Sequence, residues 1–149
     1  MVGLYWEEWE VGKSYETAAR TVTETDVVNF AGISGDYNPL HINEEYCKKT
    51  QFGTRIAHGP LVYAIAAGLL FQLHLYDDTL IAFLGFESLK FTKPVKIGDT
   101  IYAKVTVTEV TETSKPDRGV MKRQLQVINQ HGEIVQDAIQ AFLMKRKPV

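Results

Sequence analysis

His58-Gly-Pro-Leu-Val-Tyr-Ala-Ile-Ala-Ala-Gly-Leu-Leu-Phe71 is the stretch that decides the fold. From Pro60 onward it carries no charge, and Leu61, Val62, Tyr63, Ile65, Leu69, Leu70 and Phe71, followed by Leu73 and Leu75, cover every face of a helix. A helix that is apolar all round has no side to give to water and must be enclosed. The run is short of the roughly 20 residues that a bilayer demands, so the pattern predicts a buried helix from Pro60 to about Tyr76 and no membrane span.

The segments downstream supply the enclosure. Leu80 to Phe91, Thr100 to Thr113, Val120 to Asn129 and Ile134 to Met144 read as strands, with Ile101, Ala103, Val105 and Val107 alternating cleanly. Pro94 with Gly98-Asp99, Pro116-Asp-Arg-Gly119 and Gln130-His-Gly132 are the turns between them. Upstream, Ser14 to Val22 reads as a short strand. Thr23-Glu-Thr-Asp26 has the spacing of a capping box, opening a helix that ends at Gly32 and Gly35. A second short helix is expected after Asn43, stopping at Gly53, with Glu44 and Glu45 at its positive end and Lys48 and Lys49 at its negative end. Helices followed by consecutive strands give an α+β fold, a curved antiparallel sheet wrapped around one long central apolar helix. No repeat or linker divides residues 1–149, so one domain is expected. Such a sheet leaves an edge strand, which a second copy would cover; a homodimer or a dimer-based oligomer is the expectation.

Composition narrows the function. Sixteen Lys and Arg stand against 18 Asp and Glu, and the only basic run is Lys145-Arg-Lys147 at the end, which argues against a nucleic-acid partner. Cys47 is the sole cysteine, which excludes an intrachain disulfide, a CxxC redox pair and a cysteine-built zinc site. The Glu-rich start, Met1 to Glu10, lacks the basic and then apolar order of a secretion leader, and a cytoplasmic location is expected.

The residues suited to chemistry lie between positions 34 and 60. Asp36 and His41 share a Pro-containing loop, where they can converge on one water, the carboxylate holding one proton while the imidazole handles another. Ser34 and Asn38 stiffen that loop, and His58 supports it. Pro60 suits the first helical position and makes Gly59 the expected N-cap, with its N–H at the positive end of the buried helix and no Cβ to hinder a ligand oxygen. That is an oxyanion donor. An acid/base pair beside a carbonyl-polarising amide suits addition of water to an α,β-unsaturated carbonyl compound, or the reverse. A Ser34/Asp36/His41 triad leaves too little room on one loop for a base and its orienter. A metal site from Asp36, His41 and His58 lacks an HxH or HExxH spacing.

Phe30-Ala-Gly-Ile-Ser-Gly-Asp-Tyr-Asn-Pro-Leu-His41, then Phe52-Gly and Ile56-Ala-His-Gly59, resembles the signature of the MaoC-like (R)-specific enoyl-CoA hydratases, also called hydratase 2, of the hot-dog fold. The likeness extends more loosely to Glu10-Val-Gly12 and Pro94-Val-Lys-Ile-Gly-Asp99. It implies that Asp36 and His41 are the catalytic pair and Gly59 N–H the oxyanion donor. It also implies a CoA or acyl-carrier thioester as substrate, an (R)-3-hydroxyacyl product, and dimers with sites near the subunit interface. No metal or redox cofactor is implied, CoA being a substrate carrier whose phosphates Arg55, Lys90 or Lys93 could meet. One departure is Pro60, where many of these hydratases have Met, which leaves the acyl group open. The alternatives are a hot-dog acyl-CoA thioesterase and a non-catalytic acyl-thioester binding subunit.

Overall fold

Thr23 opens the first helix as its capping box predicts. Its hydroxyl accepts the Asp26 amide (3.2 Å), and the Asp26 carboxylate accepts the Thr23 amide (2.9 Å). In the computed structural model, which describes residues 1–149, this helix (α1, Glu24–Ser34) closes on Gly35, whose φ of 75° is open to glycine at no steric cost. Two four-residue helices follow, α2 (Pro39–Ile42) and α3 (Glu44–Cys47), then the long helix α4 (Gly59–Phe71). No helix is long and apolar enough to cross a membrane.

The sheet has six strands, all antiparallel: β1 (Ser14–Glu16), β2 (Arg20–Thr21), β3 (Leu80–Phe91), β4 (Thr100–Glu112), β5 (Arg118–Asn129) and β6 (Ile134–Lys145). Their order is β1-β4-β5-β6-β3, with β2 also on β4. Alternation decides which side chains turn inward. Ile101, Ala103 and Val105 of β4, Leu125 and Val127 of β5 and Ala138 of β6 are buried against Val62, Ile65, Ala66, Leu69 and Leu70 of α4. A side chain of Leu70's size, 1% exposed, contributes about 2 kcal/mol by leaving water. Register shifts between β3 and β6, between β4 and β5 and between β5 and β6 mark bulges or irregularities, which bend strands and let a sheet wrap a helix. This is the hot-dog arrangement expected from the sequence.

Four boundaries differ. Ser14 to Val22 is not one strand, because residues 17–19 leave the ladder between β1 and β2. The helix expected over 43–53 keeps only its first turn, since Lys48 onward runs through turns to Gly53 at φ 71°. Helix α4 starts one residue earlier, with His58 as N-cap and Pro60 at the second position, and ends at Phe71, where the chain turns through His74 at φ 57°. Nor is α4 enclosed all round. Pro60, Ala64, Gly68 and Phe71 form an exposed stripe. The edge strand β3 is also apolar and exposed, with Phe83, Leu84, Phe86 and Phe91 all at least 38% accessible.

Candidate active site

Asn38 builds the loop that the sequence singles out. Its side-chain oxygen accepts the Leu40 amide (3.0 Å) and its carbonyl accepts the His41 amide (2.8 Å), which with Pro39 at the first position starts α2. His41 thus sits on a helical turn where the sequence suggested irregular loop. Ser34 Oγ donates to the Phe30 carbonyl (2.7 Å) and accepts the Asp36 amide (3.1 Å), while Asp36 Oδ1 accepts the Asn38 amide (3.2 Å). The Ser34 hydroxyl is spent on this scaffold, and the triad has no nucleophile. Arg55 clamps the next loop, pairing with Glu24 (2.6 Å) and Glu44 (2.8 Å). Hydrogen bonds from Thr54 and Arg55 hold the Glu44 carboxyl below its usual range.

The two histidines are oriented by main-chain carbonyls. His41 Nδ1 lies 2.7 Å from the Ile56 carbonyl oxygen, which can only accept, so Nδ1 carries the proton and Nε2 is bare in the neutral ring. The bare Nε2 faces Asp36 Oδ2 at 3.8 Å. By the same logic His58 Nε2–H donates to the Asp36 carbonyl (3.0 Å), and its buried Nδ1 has no partner. The His58 ring is fully buried and stacks on His41, centroids 3.7 Å apart and planes 25° apart, with Phe30 edge-on behind it. Asp36, His41 and His58 bring donor atoms within 4.8 Å of one another. A metal ion needs in-plane lone pairs that converge, whereas stacked rings aim theirs side by side. What the arrangement does set face to face is the Asp36 carboxylate and a bare imidazole nitrogen of His41.

Ile56 ties the two halves together. Its amide donates to the Leu40 carbonyl (3.0 Å), and the next amide, of Ala57, donates to Val95 (2.7 Å). That places His41 and Gly59 in the wall of one cavity of about 300 Å³, which Phe91, Val62 and Gln136 also line. At the head of α4 the Gly59 and Leu61 amides have no protein acceptor, Pro60 has no N–H, and Val62 already donates to His58 (3.1 Å). The Gly59 carbonyl is held by Gln136 Nε2 (2.7 Å). Gly59 is not at positive φ; close approach is what requires glycine, since a Cβ there would stand 2.5 Å from Phe91 Cε2. The added methyl would strike that ring, which is itself a wall of the cavity.

Of the basic residues considered for phosphates, Arg55 is closed off by its two glutamates and Lys93 is paired with Glu133. Lys90 is exposed and has no carboxylate partner. Three polar residues of the inner face escaped the sequence reading, Arg123, Gln136 and Gln140. The signal was parity: Arg123 shares its face with Met121 and Leu125, and Gln136 and Gln140 share theirs with Ala138 and Phe142, so all three turn inward.

The chain is a hot-dog protein with this loop and helix N-terminus at its centre. It belongs to the MaoC-like dehydratase family, whose domain model matches residues 7–130. It is 41% identical over 115 residues to an (R)-specific enoyl-CoA hydratase, a hydro-lyase, of Rhodospirillum rubrum, covering 74% of each chain. Among solved structures, a monoamine oxidase regulatory protein from Archaeoglobus matches at TM-score 0.93 and 40% identity, covering 99% of this chain and 98% of that one. A MaoC-like dehydratase of Rhodospirillum rubrum matches at TM-score 0.89 and 30% identity, covering 99% and 100%.

Proposed function

We propose that this hydro-lyase adds water reversibly across the double bond of a trans-2-enoyl-CoA or acyl-carrier thioester, giving the (R)-3-hydroxyacyl thioester. The observation that carries the reading is the bare His41 Nε2 facing Asp36 at 3.8 Å. That gap is too long for a direct hydrogen bond, yet one water lying ~2.8 Å from each reaches both. In the hydration direction the water gives a proton to His41 Nε2 and its oxygen bonds to C3. The C2–C3 π electrons move toward the thioester, whose oxygen gathers negative charge. Gly59 N–H holds that charge at the positive end of α4. The imidazolium, stabilised by the Asp36 carboxylate, returns its proton to C2 on the face that received the oxygen. Atoms balance: one water is consumed and no proton is left over.

The substrate enters over Phe91, at the end of the exposed strand β3. We assign that strand's open edge to a second copy of the chain, because a 12-residue apolar edge in water invites pairing. Sedimentation equilibrium should give a dimer or a multiple of it, and an active 16.8 kDa species would overturn the assignment.

A panel of trans-2-enoyl-CoA thioesters, followed by loss of the conjugated thioester absorbance, tests the reaction. An (R)-3-hydroxyacyl-CoA product without release of free CoA is expected. Free CoA as the first product would make the protein a thioesterase, and tight binding without turnover of any thioester would make it a carrier subunit.

A further inference from the structure

One turn beyond the catalytic end of α4, a charge is buried without a counter-charge. Arg123 of β5 is 4% exposed, and no carboxylate lies within ion-pair distance of it. Its Nε donates to Gln140 Oε1 (2.8 Å) and its Nη1 to the Tyr76 hydroxyl, both neutral, and its plane lies over the Phe142 ring (4.4 Å) and the Tyr76 ring (5.1 Å). Nη2 has no acceptor in the protein. Burial pushes the guanidinium down to about 9, so it is still charged at neutral pH. A guanidinium taken out of water without an anion is an expensive thing to keep.

The group is not sealed in. Arg123 lines a cavity of about 170 Å³ whose other walls are Tyr63, Ala67, Leu70, Phe71, Tyr76, Leu80, Phe83 and Phe142, a slot that is apolar except at the guanidinium and two phenol hydroxyls. This slot and the cavity at Gly59 are walled by the same two elements, α4 and β3. Gly59, Tyr63 and Ala67 succeed one another on one face of α4, four residues apart. Opposite them on β6, Gln136 holds the Gly59 carbonyl (2.7 Å) and Gln140 bridges the Tyr63 hydroxyl (3.1 Å) to Arg123. The two glutamines lie on the same face of one strand, four residues and therefore roughly 13 Å apart. On β3, Phe91 borders the first cavity and Phe83 the second, with Phe86 between them, edge-on to both Tyr63 and Phe83. A chain held by its thioester at Gly59 and running along these rings arrives at the free face of Arg123.

We propose that Arg123 receives an anionic group at the far end of the acyl chain, so that the preferred substrate is a 2-enoyl thioester ending in a carboxylate. The proposal rests on the enoyl-thioester reading above. The carboxylate would supply the missing counter-charge and accept from Nη2, a charge-assisted hydrogen bond in a site with little water. Tyr76 and Gln140 then serve as positioning residues that fix the plane of the guanidinium.

The test compares trans-2-enoyl-CoA thioesters of graded length in pairs, one member ending in a carboxylate and the other in a methyl group, by kcat/KM. At the length that spans the slot, the wild type should favour the carboxylate member by at least about tenfold, since a site built around a polar group discriminates strongly against its absence. Arg123→Met should lose that ratio or invert it, and Arg123→Lys, which keeps a charge, should retain part of it. Binding of the saturated carboxylate-ended and methyl-ended acyl-CoA pair, measured by calorimetry, reads the same preference without turnover. Turnover of no enoyl thioester would overturn the hydratase reading, while a carboxylate preference in the calorimetry alone would still support the role of Arg123. Equal turnover and equal binding of both members would overturn the proposal and leave the hydratase reading intact. So would an Arg123→Met protein with unchanged ratios that no longer dimerises, because the anion would then be a carboxylate of the second copy.

Discussion

Two buried polar clusters flank the same face of α4, and they are satisfied in opposite ways. At the helix head, His41 and His58 each spend one nitrogen on a main-chain carbonyl, of Ile56 (2.7 Å) and Asp36 (3.0 Å). The rings are immobilised, and the bare Nε2 of His41 points at Asp36. Further along, Arg123 has two neutral partners and one free nitrogen, with no anion in reach. On the function proposed above, the first cluster has what it needs to transfer a proton, whereas the second waits for an anion. That reading separates reaction from selection along one helix.

The comparison can be broken most severely at the first cluster. Asp36→Ala and His41→Ala should each lower kcat by about 10² to 10⁴-fold, the range for a positioned proton-transfer group. Because one water serves both, the double variant should lose far less than the product of the two losses. Steady-state kinetics on a turned-over substrate decide this, and full activity in either single variant would remove the pair from the mechanism.

Gly59→Ala comes next, with a loss of roughly tenfold to a hundredfold as the oxyanion donor is disturbed. The cause is separable here, because the nearest atoms to the new Cβ all belong to Phe91. Adding Phe91→Ala to the variant should restore much of the rate if the clash tilts the helix head. No recovery would mean that the glycine matters for ligand approach after all. Thermal unfolding of both proteins separates rate from stability.

His58→Phe keeps a flat ring under His41 but cannot donate to the Asp36 carbonyl. It should cost about 1–2 kcal/mol of stability and several-fold in kcat with little change in KM, since Asp36 is displaced and the substrate cavity is not. An altered Tm with untouched kcat would reduce His58 to a packing residue. Arg123→Met should show the smallest effect on stability. Relief of a buried charge opposes the loss of hydrogen bonds to Gln140 and Tyr76, so unfolding should shift by no more than about 1 kcal/mol. A collapse of stability there would make Arg123 a structural residue and erase the contrast between the clusters.

The first cluster was legible in the sequence and the second was not, for a physical reason. Asp36, His41 and Gly59 depend on local devices that are written in order along the chain: a glycine C-cap, an Asn-Pro start and a helix head. The four long strands were legible within a few residues because period-2 alternation is local too. Helix α2 was missed, since a single turn held by Asn38 has no periodicity to show. The end of α4 was overrun because Leu73 and Leu75 continue an apolar pattern that the backbone abandons at His74. Arg123, Gln136 and Gln140 acquire meaning only when β5 and β6 face α4 across many intervening residues. Their inward parity could have flagged them, but not what they touch.

The anchoring of both histidines on carbonyl oxygens has a consequence for how this site tolerates change over generations. A carbonyl belongs to the peptide unit, so no exchange of side chain at residue 56 deletes it, and Ile56→Val would leave the Nδ1–H of His41 where it is. The tautomer that exposes Nε2 is guarded by the path of the chain itself. Drift in the neighbouring side chains can reshape the cavity while the two rings keep their orientation, whereas an insertion, a deletion or a badly placed proline would move the carbonyls that hold them.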